Sequence, residues 1–290
     1  MTSGIINVLK PPGMTSHDVV SFVRRVYGLK KVGHAGTLDP AAAGILPVFL
    51  GSATRLIEYT TDRDKAYRVE LTFGYATDTG DDTGVVVKRE SPGRLPSTGD
   101  LFKTLQDFIG VIDQIPPMHS AIKIAGKKLY ELAREGIEIE RQPRKVEIKA
   151  IRPIKLDLPV LLFDVECSKG TYIRSLCMDI GERLGCPATM SFLVRTRVGD
   201  FNLSNAFTLE EITANPDSAL LPAEHAVKHL PRVILSSTVC QAFGNGQVVA
   251  CDTNDQLSLY SVFDEQGALI GIGEPSAGHK GLKPIKVMPR

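Results

Sequence analysis

The chain has 290 residues, 34 Lys and Arg against 33 Asp and Glu, and an apolar fraction of 43%. These values are close to globular averages, exclude global disorder and leave room for one large domain and a small one. The longest mostly apolar stretch, 41–50, is broken by Gly44 and Pro47, far short of the ~20 residues that span a bilayer. The N-terminus lacks the basic stretch and apolar run of a secretory signal, so a cytoplasmic location is expected.

Residues 4–10 (GIINVLK) read as a strand closed by Pro11-Pro12-Gly13. Thr15 or Ser16 caps a helix whose apolar residues, Val19, Phe22, Val23, Val26 and Tyr27, form one core-facing stripe, and Gly28 ends it. Residues 32–44, rich in Gly and Ala, predict a loop; 45–50 predict a buried strand, and 52–59 a short helix capped by Ser52. Over 66–73, Tyr67, Val69, Leu71 and Phe73 alternate with Arg68, Glu70 and Thr72, the pattern of a half-buried strand. An acidic turn (Asp78, Asp81, Asp82), a strand at 85–87, a helix across 101–109 and a basic helix over 126–134 follow. Next come strands at 146–155 and 160–167, then a helix over 171–184 striped by Ile173, Leu176, Cys177, Ile180 and Leu184. Strands and helices are interspersed without strict β-α-β alternation, so the fold class is α+β. Past about residue 228, short strands at 233–235, 248–249, 257–263, 269–272 and 285–287 lie between Gly-rich turns. That texture suggests a small all-β barrel, and domains of 1–228 and 229–290.

The five cysteines form no C-x-x-C pair, and the histidines show no metal-ligand spacing, which favours reduced thiols and argues against a metal enzyme. Net charge is only +1, but basic residues cluster: Arg24, Arg25, Lys30 and Lys31; Lys123, Lys127 and Lys128; Arg141, Arg144 and Lys145; and Lys280, Lys283, Lys286 and Arg290. Such patches supply phosphate contacts without a high pI, although any one of them is also ordinary solvated surface.

Glycines at 33 and 36 and Pro40 bracket Asp39 in the segment GHAGTLDP, a loop able to present a carboxylate at a fixed point. Taken alone, an Asp-Pro turn accounts for the same residues. Tyr67 on its apolar face is a core tyrosine or an aromatic plane for a nucleobase. Arg174 falls in the first turn of its helix, where a cation opposes the macrodipole, which points to a carboxylate partner.

Together these segments resemble the TruB family of pseudouridine synthases. Residues 33–48 (GHAGTLDPAAAGILPV) are similar to its nucleophile motif, Lys65-Ala66-Tyr67 with 68–84 (RVELTFGYATDTGDDTG) to its second motif, and 167–175 (CSKGTYIRS) to its third. Residues 114–139 (QIPPMHSAIKIAGKKLYELAREGIEI) resemble the inserted thumb of the bacterial enzymes, about 111–145 here, and the C-terminal barrel resembles a PUA-type domain. The chain departs from the family pattern at His119, commonly Tyr, and at Leu193-Val194-Arg195, commonly Leu-Arg-Arg.

The resemblance implies a pseudouridine synthase fold, with a mixed, largely antiparallel sheet flanked by helices. It implies isomerisation of uridine 55 in the T-arm loop of tRNA by a monomer, without metal or cofactor and without an obligate protein partner. Asp39 would be the nucleophile, through ribose C1′, base C6 or a glycal route, with Arg174 as its cation. Tyr67 would stack on the flipped uracil, His34 would contact the RNA, and Tyr172 and Leu193 would line the uracil pocket. A guide-RNA-dependent catalytic subunit and a non-catalytic RNA-binding or folding protein are the alternatives.

Overall fold

In the computed structural model, which describes residues 2–90, 95–120, 122–124, 126–251, 258–276 and 281–289, strand β1 (Gly4–Lys10) leads into helix α1 (Ser16–Tyr27). Thr15 is the cap: its hydroxyl accepts from the Asp18 amide while the Asp18 carboxylate accepts from the Thr15 amide. Gly28, at φ 63°, turns the chain out of the helix. The predicted loop over 32–44 is bounded by pairing at both ends, because β2 (Val32–His34) lies antiparallel to β3 (Ala43–Leu50). A three-residue strand is too short to show a period. The helix expected at 52–59 is a 3₁₀ turn over 51–56 followed by α2 (Ile57–Thr61), and Ser52 bonds Ser3 instead of capping it.

Strand β4 (Lys65–Phe73) buries Tyr67, Val69, Leu71 and Phe73, as its alternation predicts. The ribbon β5 (Tyr75–Thr77) and β6 (Val86–Arg89) precedes α3 (Thr98–Asp107) and β7 (Gly110–Gln114). The expected basic helix over 126–134 is helical only from Leu129: a small hairpin of β8 (Lys123–Ile124) and β9 (Lys127–Lys128) leads into α4 (Leu129–Arg134). The long pair β10 (Arg144–Asp157) and β11 (Val160–Cys167) precedes α5 (Ile173–Arg183), which begins two residues later than expected. Then come β12 (Ala188–Val198), β13 (Phe201–Asn202), α6 (Leu209–Ala214) and α7 (Pro216–Ala219).

The sheet runs β1-β3-β12-β4-β11-β10-β7, with β2 added beside β3 and β13 beside β12. The β3–β12 contact is parallel and the other pairings described are antiparallel, so the sheet is mixed and largely antiparallel, as expected. Helices α3 and α5 cover one face of its centre, where Leu101 and Leu176 join Val69, Leu71 and Phe163 in one core. At the β1–β3 end, α1 buries Val19, Val20 and Val23 against Val8, Leu46 and Val48, each such side chain contributing ~1.5–3 kcal/mol. Sequence alone gave no sign of β12, an interior strand between β3 and β4. Bulges between Met190 and Phe192 and between Arg195 and Arg197 break its alternation.

The C-terminal β unit pairs β14 (Arg232–Leu235), β15 (Tyr260–Asp264), β16 (Leu269–Pro275) and β17 (Leu282–Val287) in that order, with the unanticipated α8 (Ser237–Gly244) on its core. The strand expected at 248–249 is a single bridge, Val249 to Leu282, and residue 257 of another expected strand lies outside the described residues. This unit is docked on the larger one: Ile272 and Met288 join Ile5, Ile45 and Phe49 in one core, and Lys286 pairs with Glu58. The thumb-like insertion is shorter than expected. Strand β7 and the first residues of β10 pair as the sheet edge, so the excursion is 115–143.

Candidate active site

The segment before β3 is fixed almost peptide by peptide. The Arg195 guanidinium donates to the carbonyls of Gly36 at 3.1 Å, Thr37 at 3.2 Å and Ile45 at 2.7 Å. The Ser16 hydroxyl donates to the Leu38 carbonyl at 3.1 Å and accepts from the Leu38 amide at 2.9 Å. On the far side of Asp39, the Pro40 carbonyl accepts from Lys10 Nζ at 3.2 Å and from the Gly13 amide at 2.8 Å. Lys10 also donates to Pro11 and Met14 carbonyls, and burial, with the Arg195 cation second, brings its ammonium down to about 8. Leu38 points into the core beside Tyr67 and Leu193, while the Asp39 side chain emerges 35% exposed. A carboxylate on so constrained a backbone is pre-aimed, which is where much of an enzyme's positional advantage comes from.

That carboxylate meets Arg174, whose side chain is only 6% exposed. Arg174 Nε donates to Asp39 Oδ2 at 3.0 Å and Nη2 donates to Oδ1 at 3.3 Å, a bidentate pair. The same guanidinium donates to the Thr79 carbonyl at 3.0 Å and the His119 carbonyl at 2.7 Å. A second carboxylate, Asp81, stands 3.8 Å from Nε. Its Oδ1 accepts from the Thr79 and Thr83 hydroxyls and the Thr83 amide, so the acidic turn is a self-bonded loop that presents Asp81 and the Thr79 carbonyl to Arg174. The cation in the first turn of α5 is thus held by two carboxylates, which outweighs the unfavourable dipole.

The other predicted residues surround this pair. Tyr67 is 7% exposed; burial pushes its hydroxyl up to about 12, with the neighbouring Arg195 guanidinium pulling the other way and the Asp39 charge also felt. It is therefore a protonated phenol at neutral pH. Tyr172 precedes α5, and Gln114 pins its backbone by donating to its carbonyl at 3.0 Å and accepting from its amide at 2.7 Å. Burial raises the Tyr172 hydroxyl too, with Arg144, Arg174 and Asp39 among the charges it meets. Leu193 lies buried opposite Val69, in the same core as Tyr67. His34 ends β2, and burial lowers its imidazole, helped by the Arg195 charge. The insertion is anchored here as well, since the Ile115 carbonyl accepts from the Ser175 hydroxyl alongside the His119 and Gln114 bonds.

Asp39, Arg174, Tyr67 and Tyr172 are therefore neighbours, although 135 residues separate the first two. The sequence did not single out Lys10, Ser16, Asp81 or Arg195. Asp81 carried a weak signal as one of three acidic residues in a turn, and Arg195 only as part of the Leu193-Val194-Arg195 segment; Lys10, a lone Lys in an apolar strand, carried none. Among the described residues no group of three or more His, Cys, Asp or Glu is placed to hold a metal ion, and no helix is long and apolar enough to cross a membrane.

A family model described as the N-terminal domain of the TruB family pseudouridylate synthases matches residues 24–173. The chain belongs to this family. The tRNA pseudouridylate synthase B C-terminal domain matches residues 174–235, and the pseudouridine synthase II TruB C-terminal model matches 231–287. The tRNA pseudouridine synthase B of Caldanaerobacter subterraneus subsp. tengcongensis is 49% identical over 271 residues, 93% of this chain and 94% of that protein. The enzyme of the same name from Bacillus subtilis is 43% identical over 305 residues, 99% of this chain and 98% of its own length. Among solved structures, an H/ACA RNP bound to a substrate RNA containing 2′-deoxyuridine is similar with TM-score 0.75 and 25% identity, covering 99% of this chain and 85% of the other. A Cbf5-Nop10-Gar1 complex matches with TM-score 0.75 and 27% identity, over 99% and 84%. The TruB membership and the mixed-sheet fold expected from the motifs are both borne out.

Proposed function

We propose that this TruB-family enzyme isomerises uridine 55 in the T-arm loop of tRNA to pseudouridine, without a guide RNA, with Asp39 as the nucleophile. The observation that carries this reading is the bidentate Asp39–Arg174 pair, which sits on a fixed loop with Tyr67 and Tyr172 beside it. The reaction breaks the N1–C1′ bond and forms a C5–C1′ bond; C5 loses a proton and N1 gains one. Atoms and electrons balance within the nucleotide, so the chemistry asks for a group that bonds carbon and leaves again. A carboxylate held by a guanidinium does this at C1′ or C6; on the glycal route it would instead take a ribose proton and return it, with no bond to carbon.

The target base leaves its stack to reach a buried site, at a cost of a few kcal/mol. Tyr67 is the aromatic plane available to receive it, and stacking returns ~1–3 kcal/mol. Tyr172 and Leu193 complete the uracil pocket, and His34 meets the RNA nearby. The excursion 115–143, with Lys123, Lys127 and Lys128, supplies phosphate contacts, and the C-terminal unit serves as a PUA-like RNA-binding domain over 229–290. The guide-dependent reading has one observation in its favour, the likeness to the H/ACA and Cbf5 structures. The higher identity to enzymes named for tRNA favours the stand-alone reading.

An unmodified T-arm stem-loop, given to the purified chain with no other RNA or protein, should acquire pseudouridine at position 55. No product without a guide RNA would move the reading to the guide-dependent class. In the same assay Tyr67→Phe keeps the stacking plane and loses the hydroxyl. It should keep Kd within roughly threefold while the single-turnover rate falls by about 10²-fold, the size of a typical proton-transfer contribution. An unchanged rate removes the hydroxyl from the chemistry.

A further inference from the structure

Arg195 is 1% exposed, the largest side chain in the fully buried set. Among the described residues it has no carboxylate in ion-pair range, unlike Arg174. A buried guanidinium without a counter-ion is expensive, so what it touches is informative. Its three hydrogen bonds go to Gly36, Thr37 and Ile45, carbonyls on both sides of Asp39. Tyr67 stands beside it across the sheet, and its hydroxyl feels the guanidinium charge. Strand register explains how one side chain reaches all of these. Arg195 stands opposite Tyr67 across β4–β12 and opposite Gly44 across β3–β12, beside the bulge between Arg195 and Arg197. Gly44, at φ +119°, is needed for that approach: a Cβ there would fall 2.2 Å from the Arg195 carbonyl oxygen.

We infer that Arg195 is a positioning residue for the isomerisation: one planar guanidinium ties the loop carrying Asp39 to β12 at the position opposite Tyr67, so nucleophile and aromatic plane meet the flipped uridine in a fixed relation. The inference rests on the reading of Asp39 and Tyr67 given above. Charge alone does not suffice, since three carbonyl acceptors, one for each guanidinium nitrogen, need the fork of an arginine rather than the point charge of a lysine. His34 and Lys10 also feel this cation, but neither takes a hydrogen bond from it.

The decisive variant is Arg195→Lys, which keeps the cation and loses the fork; Arg195→Met removes both. Full-length proteins are compared for thermal melting, for filter binding of a T-arm stem-loop, for single-turnover pseudouridine formation and for hydrogen exchange of a peptide covering 35–42. Arg195→Lys should bind RNA within roughly threefold of the parent, because phosphate contacts elsewhere set affinity. It should lose roughly 10²-fold in rate, the cost of a misplacement near 1 Å, and should exchange faster over 35–42 while β11 stays protected. Combined with Tyr67→Phe, its effect should shrink, as expected for cross-strand neighbours that fix one geometry. A parental rate in Arg195→Lys, a rate loss no larger than the loss of folded protein, or independent multiplication with Tyr67→Phe overturns the inference. If the parent itself makes no pseudouridine, the functional reading fails, and the exchange data still decide whether Arg195 holds the loop. Should Arg195→Met not fold, the lysine variant carries the test alone.

Discussion

Asp39→Asn should abolish pseudouridine formation while leaving the RNA complex nearly intact. The amide is isosteric, so the loop clamped by Arg195, Ser16 and Lys10 keeps its path. Arg174 retains Asp81 and the Thr79 and His119 carbonyls, so the fold does not lose its charge balance. What disappears is the negative oxygen pair itself. An amide neither forms the carbon–oxygen bond nor leaves from it, and the rate should fall by at least about 10⁴-fold, a modest share of the ~10⁶–10¹⁷-fold that enzymes supply. Binding should stay within roughly fivefold, since phosphates and the surrounding loop set affinity. Pseudouridine mapping on stem-loop transcripts beside filter binding checks both halves. Measurable turnover at more than a trace removes Asp39 from the nucleophile role; a collapse of affinity would instead make it an RNA-contact residue.

The parts of the fold with strong periodicity were legible. Strand β4 showed its buried face in Tyr67, Val69, Leu71 and Phe73, and α1 announced its stripe, its cap region and its stop at Gly28. Strand β12 was not, because two bulges shift its facing residues and place Arg195 on the inward side. The same bulged strand hides the clamp on the Asp39 loop, so the least legible element and the least legible residue of the candidate site share one cause. Asp39 and Arg174 were legible as candidates only through motifs in order; neither spacing nor propensity brings together residues so far apart in the chain. Lys10 and Ser16 looked like a strand end and a helix start. Their work is done by a buried ammonium and one hydroxyl aimed at backbone carbonyls across the fold, and a pattern of side-chain polarity along the chain does not encode that.

The second large effect is expected at Arg174. Arg174→Met leaves Asp39 and Asp81 facing one another and strips donors from the Thr79 and His119 carbonyls. Removing one partner of a buried ion pair costs about 3–5 kcal/mol, here towards the lower figure because Asp39 is 35% exposed and water screens part of it. Stability and chemistry separate in a second step. Adding Asp81→Asn to Arg174→Met removes the like-charge contact and should recover a third or so of that loss, about 1 kcal/mol on the same scale. It should recover none of the rate, because Asp39 still lacks the guanidinium that orients both its oxygens. Arg174→Lys tests the geometry: it keeps a cation but offers one point charge in place of the fork, so it should fold well and still lose roughly 10²-fold. Urea denaturation midpoints and single-turnover rates measured on the same preparations decide between these contributions. A lysine variant with the parental rate would reduce Arg174 to a structural counter-ion. Recovery of rate in the Arg174→Met, Asp81→Asn pair would show that repulsion between carboxylates, rather than loss of orientation, had been the damage.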